Sequence, residues 1–151
     1  MDIDSPTKKP LLSRLSTHVH TRARRRCPDA GGIVFYANYL KFFERARTEW
    51  LRSLGIHQRE LRESSGGMFV VGAAALDYHR PARLDDRIEA TARIAEQGRA
   101  SLVLEQQAWL LDDQGARTQL LCEGRIRIGW VNAAQMKPAR IPATLLQVLN
   151  P

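Results

Sequence analysis

Between Gly67 and Val131 the chain is written in four strand-length segments, and this stretch limits the possible folds more than any other. Arg87-Ile88-Glu89-Ala90-Thr91-Ala92-Arg93-Ile94 alternates apolar and polar residues, the period of a strand with one buried face. Met68–Val71 continued by Ala73–Tyr78 reads as an earlier strand, Ser101–Leu111 as a later one, and Thr118–Val131 as the last. Asp113-Gln114-Gly115 supplies the turn between the final two. Ahead of the strands, Leu40, Phe43, Ala46, Trp50 and Leu54 recur every three or four residues among Lys41, Glu44, Arg45 and Arg52. That spacing predicts an amphipathic helix of about eighteen residues, stopped by Gly55, with Gln58–Glu63 suited to a short second helix. One long helix followed by a four-stranded antiparallel meander is an α+β pattern.

A chain of 151 residues can bury a core without disulfides or metals. Its two cysteines, Cys27 and Cys122, have neither metal-ligand spacing nor a disulfide framework, which fits free thiols in a reducing compartment. No apolar run approaches the roughly 20 residues of a membrane span, and Leu11-Leu12 is broken at once by Ser13-Arg14, unlike a signal peptide. The expected location is the cytoplasm. The net charge of +7 belongs mostly to the N-terminal segment, where Lys8, Lys9, Arg14, Arg22, Arg24, Arg25 and Arg26 face only Asp2 and Asp4. Residues 1–20 read as a basic, disordered tail and residues 21–151 as a single domain. A tail of this kind is usually just solvated, so nucleic acid is disfavoured as a partner.

Chemistry concentrates in Asp29-Ala30-Gly31-Gly32-Ile33-Val34-Phe35-Tyr36-Ala37-Asn38-Tyr39, directly before the helix. Asp29 supplies a carboxylate, Gly31 and Gly32 let backbone approach a ligand closely, and the helix start offers unpaired N–H donors. A carboxylate beside such donors suits acyl transfer, with Asp29 as nucleophile or general base and the Tyr36 N–H facing the oxygen that becomes negative. An isolated Asp before Gly-Gly is commonly only a turn residue; here the tyrosine-asparagine turn and the helix behind it favour catalysis. The Tyr36 ring is expected to pack, and Asn38 to cap the helix or hold the loop.

This segment, with Glu44-Arg45-Ala46-Arg47-Thr48-Glu49, resembles the hotdog-fold acyl-CoA thioesterases of the YbgC / 4-hydroxybenzoyl-CoA thioesterase family. Tyr78-His79-Arg80-Pro81-Ala82-Arg83-Leu84-Asp85-Asp86 and Met136-Lys137-Pro138 extend the resemblance in the family's order over most of residues 29–142. It implies an antiparallel sheet wrapped around one long central helix, and hydrolysis of an acyl thioester to a free acid and a thiol without a cofactor. The substrate would be an acyl-CoA or an acyl-carrier protein, and the assembly a homodimer or homotetramer with sites between subunits. Carried across by position, Asp29 and Tyr36 are the catalytic residues, while Gly31, Gly32, Asn38, Arg80, Arg83 and Lys137 are substrate-binding candidates. The chain departs from the family before Asp29, where Thr21-Arg22-Ala23-Arg24-Arg25-Arg26-Cys27-Pro28 replaces a Val/Tyr-rich strand and Cys27 stands where an earlier acid belongs.

The remaining polar residues are weaker candidates. Glu44 and Glu49 are expected in solvent-exposed helix pairs, and His57 and His79 have no partner at triad or metal spacing, so no metal site is expected. Arg125 and Arg127 alternate on a strand, the usual texture of a solvated sheet face. Two other functions stay open: an acyl-thioester binder that does not catalyse, and a polyanion-binding protein that uses Arg22–Arg26.

Overall fold

The computed structural model describes residues 17–22, 37–83 and 85–149. Its elements run β1 (Thr17–Arg22), α1 (Ala37–Ser53), α2 (Gln58–Ser65), β2 (Gly67–Tyr78), β3 (Arg87–Gln97), β4 (Ser101–Leu111), β5 (Arg117–Asn132), β6 (Lys137–Pro138) and α3 (Ala143–Leu149). The sheet is antiparallel, in the order β1-β3-β4-β5-β2, with β6 paired to the end of β5. This order corrects the meander expected from sequence. β3, β4 and β5 do follow one another, but β2 lies against β5, and after Tyr78 the chain crosses back to start β3 at Arg87, at the far side of β4. The backbone fixes that crossing at its origin, because the amides of His79 and Arg80 both donate to the Leu121 carbonyl, at 2.8 and 3.1 Å.

A second correction concerns the tail. Residues 17–20, assigned from charge to a disordered segment, belong to β1, whose register pairs Thr17 with Ala92 and Arg22 with Arg87. Thr17, Val19 and Thr21 are β-branched residues at every second position, a strand pattern that neighbouring arginines obscure. The strand lies at the edge of the sheet.

α1 packs chiefly against β1, β3 and β4. Its buried face is Tyr39, Phe42, Phe43, Ala46, Trp50 and Leu51, opposed by Ile88, Ala90, Ala92 and Ile94 from β3 and by Leu102, Leu104 and Ala108 from β4. Leu40, placed by its spacing on the buried stripe, is 42% exposed. At 3.6 residues per turn the stripe through Phe43, Ala46 and Trp50 passes through Tyr39, and Leu40 lies about 100° away from it. Gly55 ends the helix with φ +79°, its amide on the Arg52 carbonyl at 2.9 Å. No helix among the described residues is long and apolar enough to cross a membrane.

β2 is the outermost strand on the β5 side, and its register shift between Val71 and Ala73 falls at Gly72, where the sequence already separated two apolar runs. Residues 71–75 of this strand are exposed, Val71 to 53%. The strand begins where Gly67 meets Trp130. A Cβ at Gly67 would stand 2.2 Å from the indole Cζ2.

Candidate active site

Asp29, Gly31, Gly32 and Tyr36 lie outside the described residues. The first described residues of the motif open α1, and their surroundings show what this end of the helix is built to hold. Asn38 is the second residue of α1 and only 7% exposed, so it lies inside the first turn and does not precede the helix as an N-cap would.

Tyr39 follows it, 1% exposed. Its hydroxyl accepts the Ala82 amide at 3.2 Å and donates to the Arg80 carbonyl at 3.5 Å. Burial pushes the phenol pKa up from 10.0 to about 12, partly countered by the Ala82 N–H. Its ring also meets Tyr78 at 5.8 Å between centroids, so the helix start, the end of β2 and the crossing loop converge on one side chain. That loop carries Arg80 and Arg83, both exposed. A side-chain turn steadies it: the Arg83 amide donates to Asp86 Oδ2 at 2.7 Å, and the Asp86 amide returns to the Arg83 carbonyl at 3.2 Å. Two guanidinium groups are thus mounted on a fixed backbone close to the helix N-terminus, an arrangement suited to phosphate.

Lys137 is not part of this cluster. It pairs with Asn132, which pairs with Gly67. Gly67 and Tyr78 are opposite ends of β2, about 35 Å apart along a strand of this length. Within one chain Lys137 therefore belongs to the other end of the sheet.

A groove of about 460 Å³ runs along the side of α1 that β4 does not cover. Leu40, Glu44, Arg47, Thr48 and Leu51 form its helical wall, following the i, i+4 row down from the first turn. Phe69, Val71 and Ala74 of β2 and Ile126 and Ile128 of β5 form the opposite wall. Arg47 is 9% exposed, and its Nη1 donates to Gln106 Oε1 at 2.8 Å. Gln106 is 1% exposed and has no freedom to turn, since its Nε2 donates to the Phe43 and Thr91 carbonyls at 2.9 and 3.1 Å. Burial lowers the Arg47 pKa below its usual value, with Glu44 acting in the opposite direction. The sequence reading missed both residues. The available signal was Gln106 itself, an amide in the apolar row Leu102, Leu104, Ala108 of β4.

A larger concavity, about 610 Å³, lies on the opposite face of the sheet, away from α1. It is the weaker candidate because most of its charges are already held in ion pairs. Arg125 binds Glu105 at 2.9 Å and Glu96 at 2.7 Å, and Arg93 also pairs with Glu105. Arg93 and Arg125 are engaged in ion pairs on an exposed sheet face, and the alternation of Arg125 and Arg127 already suggested that this face is solvated.

A helix start tied to a basic loop, beside an apolar groove on an antiparallel sheet, is the framework of a thioester hydrolase of the hotdog fold. The model of the thioesterase superfamily matches residues 31–116, and the chain belongs to that family. Among its relatives, the acyl-CoA thioesterase YbgC of Haemophilus influenzae is 38% identical over 114 residues, covering 76% of this chain and 79% of the relative. The acyl-CoA thioester hydrolase YbgC of Escherichia coli O6:H1 is 36% identical over 118 residues, covering 78% and 84%. The solved structure of 4-hydroxybenzoyl CoA thioesterase from Pseudomonas sp. strain CBS-3 superposes with a TM-score of 0.80 over 88% of this chain and 98% of that one. At 19% identity this last likeness speaks for the fold alone.

Proposed function

We propose that this enzyme hydrolyses an acyl thioester of coenzyme A or of acyl-carrier protein at the N-terminal end of α1. The observation that carries the reading is the Tyr39 hydroxyl, which joins the helix start to the loop bearing Arg80 and Arg83. A thioester carbonyl held over the first turn would have phosphate-binding side chains within reach and an apolar groove leading away for its acyl part.

Asp29 attacks the carbonyl carbon, or takes a proton from the water that does so. Negative charge then develops on the carbonyl oxygen, where the Tyr36 N–H and the positive end of the α1 dipole stabilise it. Collapse breaks the C–S bond and the sulfur leaves as a thiolate that takes up a proton. If Asp29 is the nucleophile, water cleaves the resulting anhydride and releases the acid. Gly31 and Gly32 admit the substrate to the backbone, Asn38 steadies the first turn, and Arg80 and Arg83 bind phosphate. The carboxylate and the fixed dipoles supply the whole reaction, so no cofactor is invoked.

The outer edge of β2, with which no other strand among the described residues pairs, supports a homodimer as the working unit. Antiparallel pairing of two β2 strands across a two-fold axis would bring the Gly67 end of one copy opposite the Tyr78 end of the other. Lys137 of the partner subunit would then lie about 14 Å, three strand spacings, from the β2 edge next to this helix start, on the same side of the interface as Arg80 and Arg83 and no longer at the far end of the sheet. Asp29→Asn tests the reading. Turnover of acyl-CoA is expected to fall about a hundredfold or more, with KM and oligomer size little changed. Wild-type turnover in that variant would remove Asp29 from the chemistry.

A further inference from the structure

Arg47 is a buried cation with only part of its hydrogen-bonding capacity used. Of its five N–H donors, the described residues engage one, at Gln106. No carboxylate among them forms an ion pair with it, and Glu44, the acid whose charge acts on it, lies one turn back on the exposed lip of the groove. Gln106 is pinned by two backbone carbonyls, so its Oε1 holds the guanidinium in one orientation against the groove wall. A buried charge without a counter-charge is costly, and a fixed one facing the apolar β2 and β5 wall of the groove is suited to a ligand that brings the missing anion.

We propose that Arg47 is a specificity subsite for acyl groups that end in a carboxylate, that is, for thioesters of dicarboxylic acids. The inference rests on the thioesterase reading above, and it adds the identity of the acyl end. Ten residues separate Ala37 from Arg47, about 15 Å along the helix axis, and the arginine side chain leans back towards the N-terminus by about 6 Å. The remaining distance of about 9 Å is spanned by an extended acyl chain of roughly eight carbons. Leu40, Val71 and Ala74 contact its methylene groups, and the guanidinium fork receives the terminal carboxylate.

The test compares kcat/KM for octanoyl-CoA with that for 7-carboxyheptanoyl-CoA, two substrates of equal length that differ in the charge at the acyl end. The wild type is expected to favour the carboxylated substrate by at least tenfold. Arg47→Met should bring the ratio to one or below, and Arg47→Lys, which keeps the charge without the fork, should leave an intermediate ratio. A wild-type ratio at or below one overturns the proposal, as does a preference that survives in Arg47→Met. Conversion of folded Arg47→Met to a monomer also overturns it, since the groove would then be occupied by a second copy of the chain. Calorimetric binding of octanoate and octan-1-ol separates this inference from the hydrolysis reading. Wild-type preference for octanoate, lost in Arg47→Met, supports the subsite even if neither thioester turns over; equal binding without turnover overturns both.

Discussion

The hydroxyl of Tyr39 stands 3.2 Å from the amide of Ala82 and accepts its hydrogen bond from inside the core. The two residues are far apart in sequence, one in the first turn of α1 and the other in the loop that leads to β3. Through this contact the backbone that carries Arg80 and Arg83 takes its position from the helix that also orients Asn38. Ala82 itself is fully buried, so its N–H has no solvent to fall back on.

Tyr39→Phe removes the acceptor and leaves that amide unsatisfied. The expected loss is about 1–3 kcal/mol of stability, measured by urea unfolding. The kinetic signature should be selective, because the loop is proposed to hold phosphate and not the acyl part. KM for an acyl-CoA is expected to rise several-fold, while KM for the same acyl group on pantetheine, which lacks the nucleotide, stays close to wild type. An equal rise for both would assign Tyr39 to general packing.

Gly67 is tested more simply. With the Trp130 ring 2.2 Å from where a Cβ would stand, Gly67→Ala must displace either the indole or the start of β2. Trp130 is 3% exposed and meets Phe69 edge-on at 5.0 Å, so little room exists for it to move. Overpacking of this kind costs about 1–3 kcal/mol. A variant as stable as the wild type in urea would place the ring elsewhere.

The strands were the most legible part of the chain, for a physical reason. β3 and β4 bury one face against α1, so selection for an apolar face writes a period of two into the sequence, and the limits expected for Ser101–Leu111 match β4. Neighbour order was not legible, because period and turn residues say nothing about which edge receives β2 after a crossing loop. β1 was lost beneath its charges. At the candidate site, the acid and the glycines stood out as a motif, and Arg80 and Arg83 as loop cations. Arg47 did not, since its burial is decided by Gln106, distant in sequence and joined to it only through the packing of α1 on β4.

The β2 edge gives a third expectation. Ala73 is exposed on that strand and paired with Arg127 of β5. Ala73→Lys sets a like charge beside Arg127, and in a two-fold pairing it brings the new lysines of both copies to one edge, a device that blocks edge-to-edge association. Sedimentation is expected to show a shift towards monomer, with activity falling in parallel as subunits separate. An active monomer would show that the site is complete within one chain.

Alkaline conditions probe the same region. Tyr39 and Cys122 are both buried, and burial holds each acid neutral, raising the phenol from 10.0 and the thiol from 9.0 to about 12 in both cases. Because each folded pKa lies above its unfolded value, the neutral forms contribute stability that is complete below pH 9 for the thiol and below pH 10 for the phenol. That stability is lost as pH rises towards 12, where the unfolded chain ionises and the folded one resists. Urea midpoints measured from pH 8 to pH 11 should therefore decline, and in Tyr39→Phe the decline above pH 10 should be shallower. In a Cys27→Ser background, Cys122 should react with a thiol reagent at pH 8 only as fast as the protein unfolds, since the thiol is shielded and scarcely ionised. Rapid labelling of the native protein would mean that the packing of β5 against Tyr39 opens readily, and with it the anchor that holds the basic loop at the helix start.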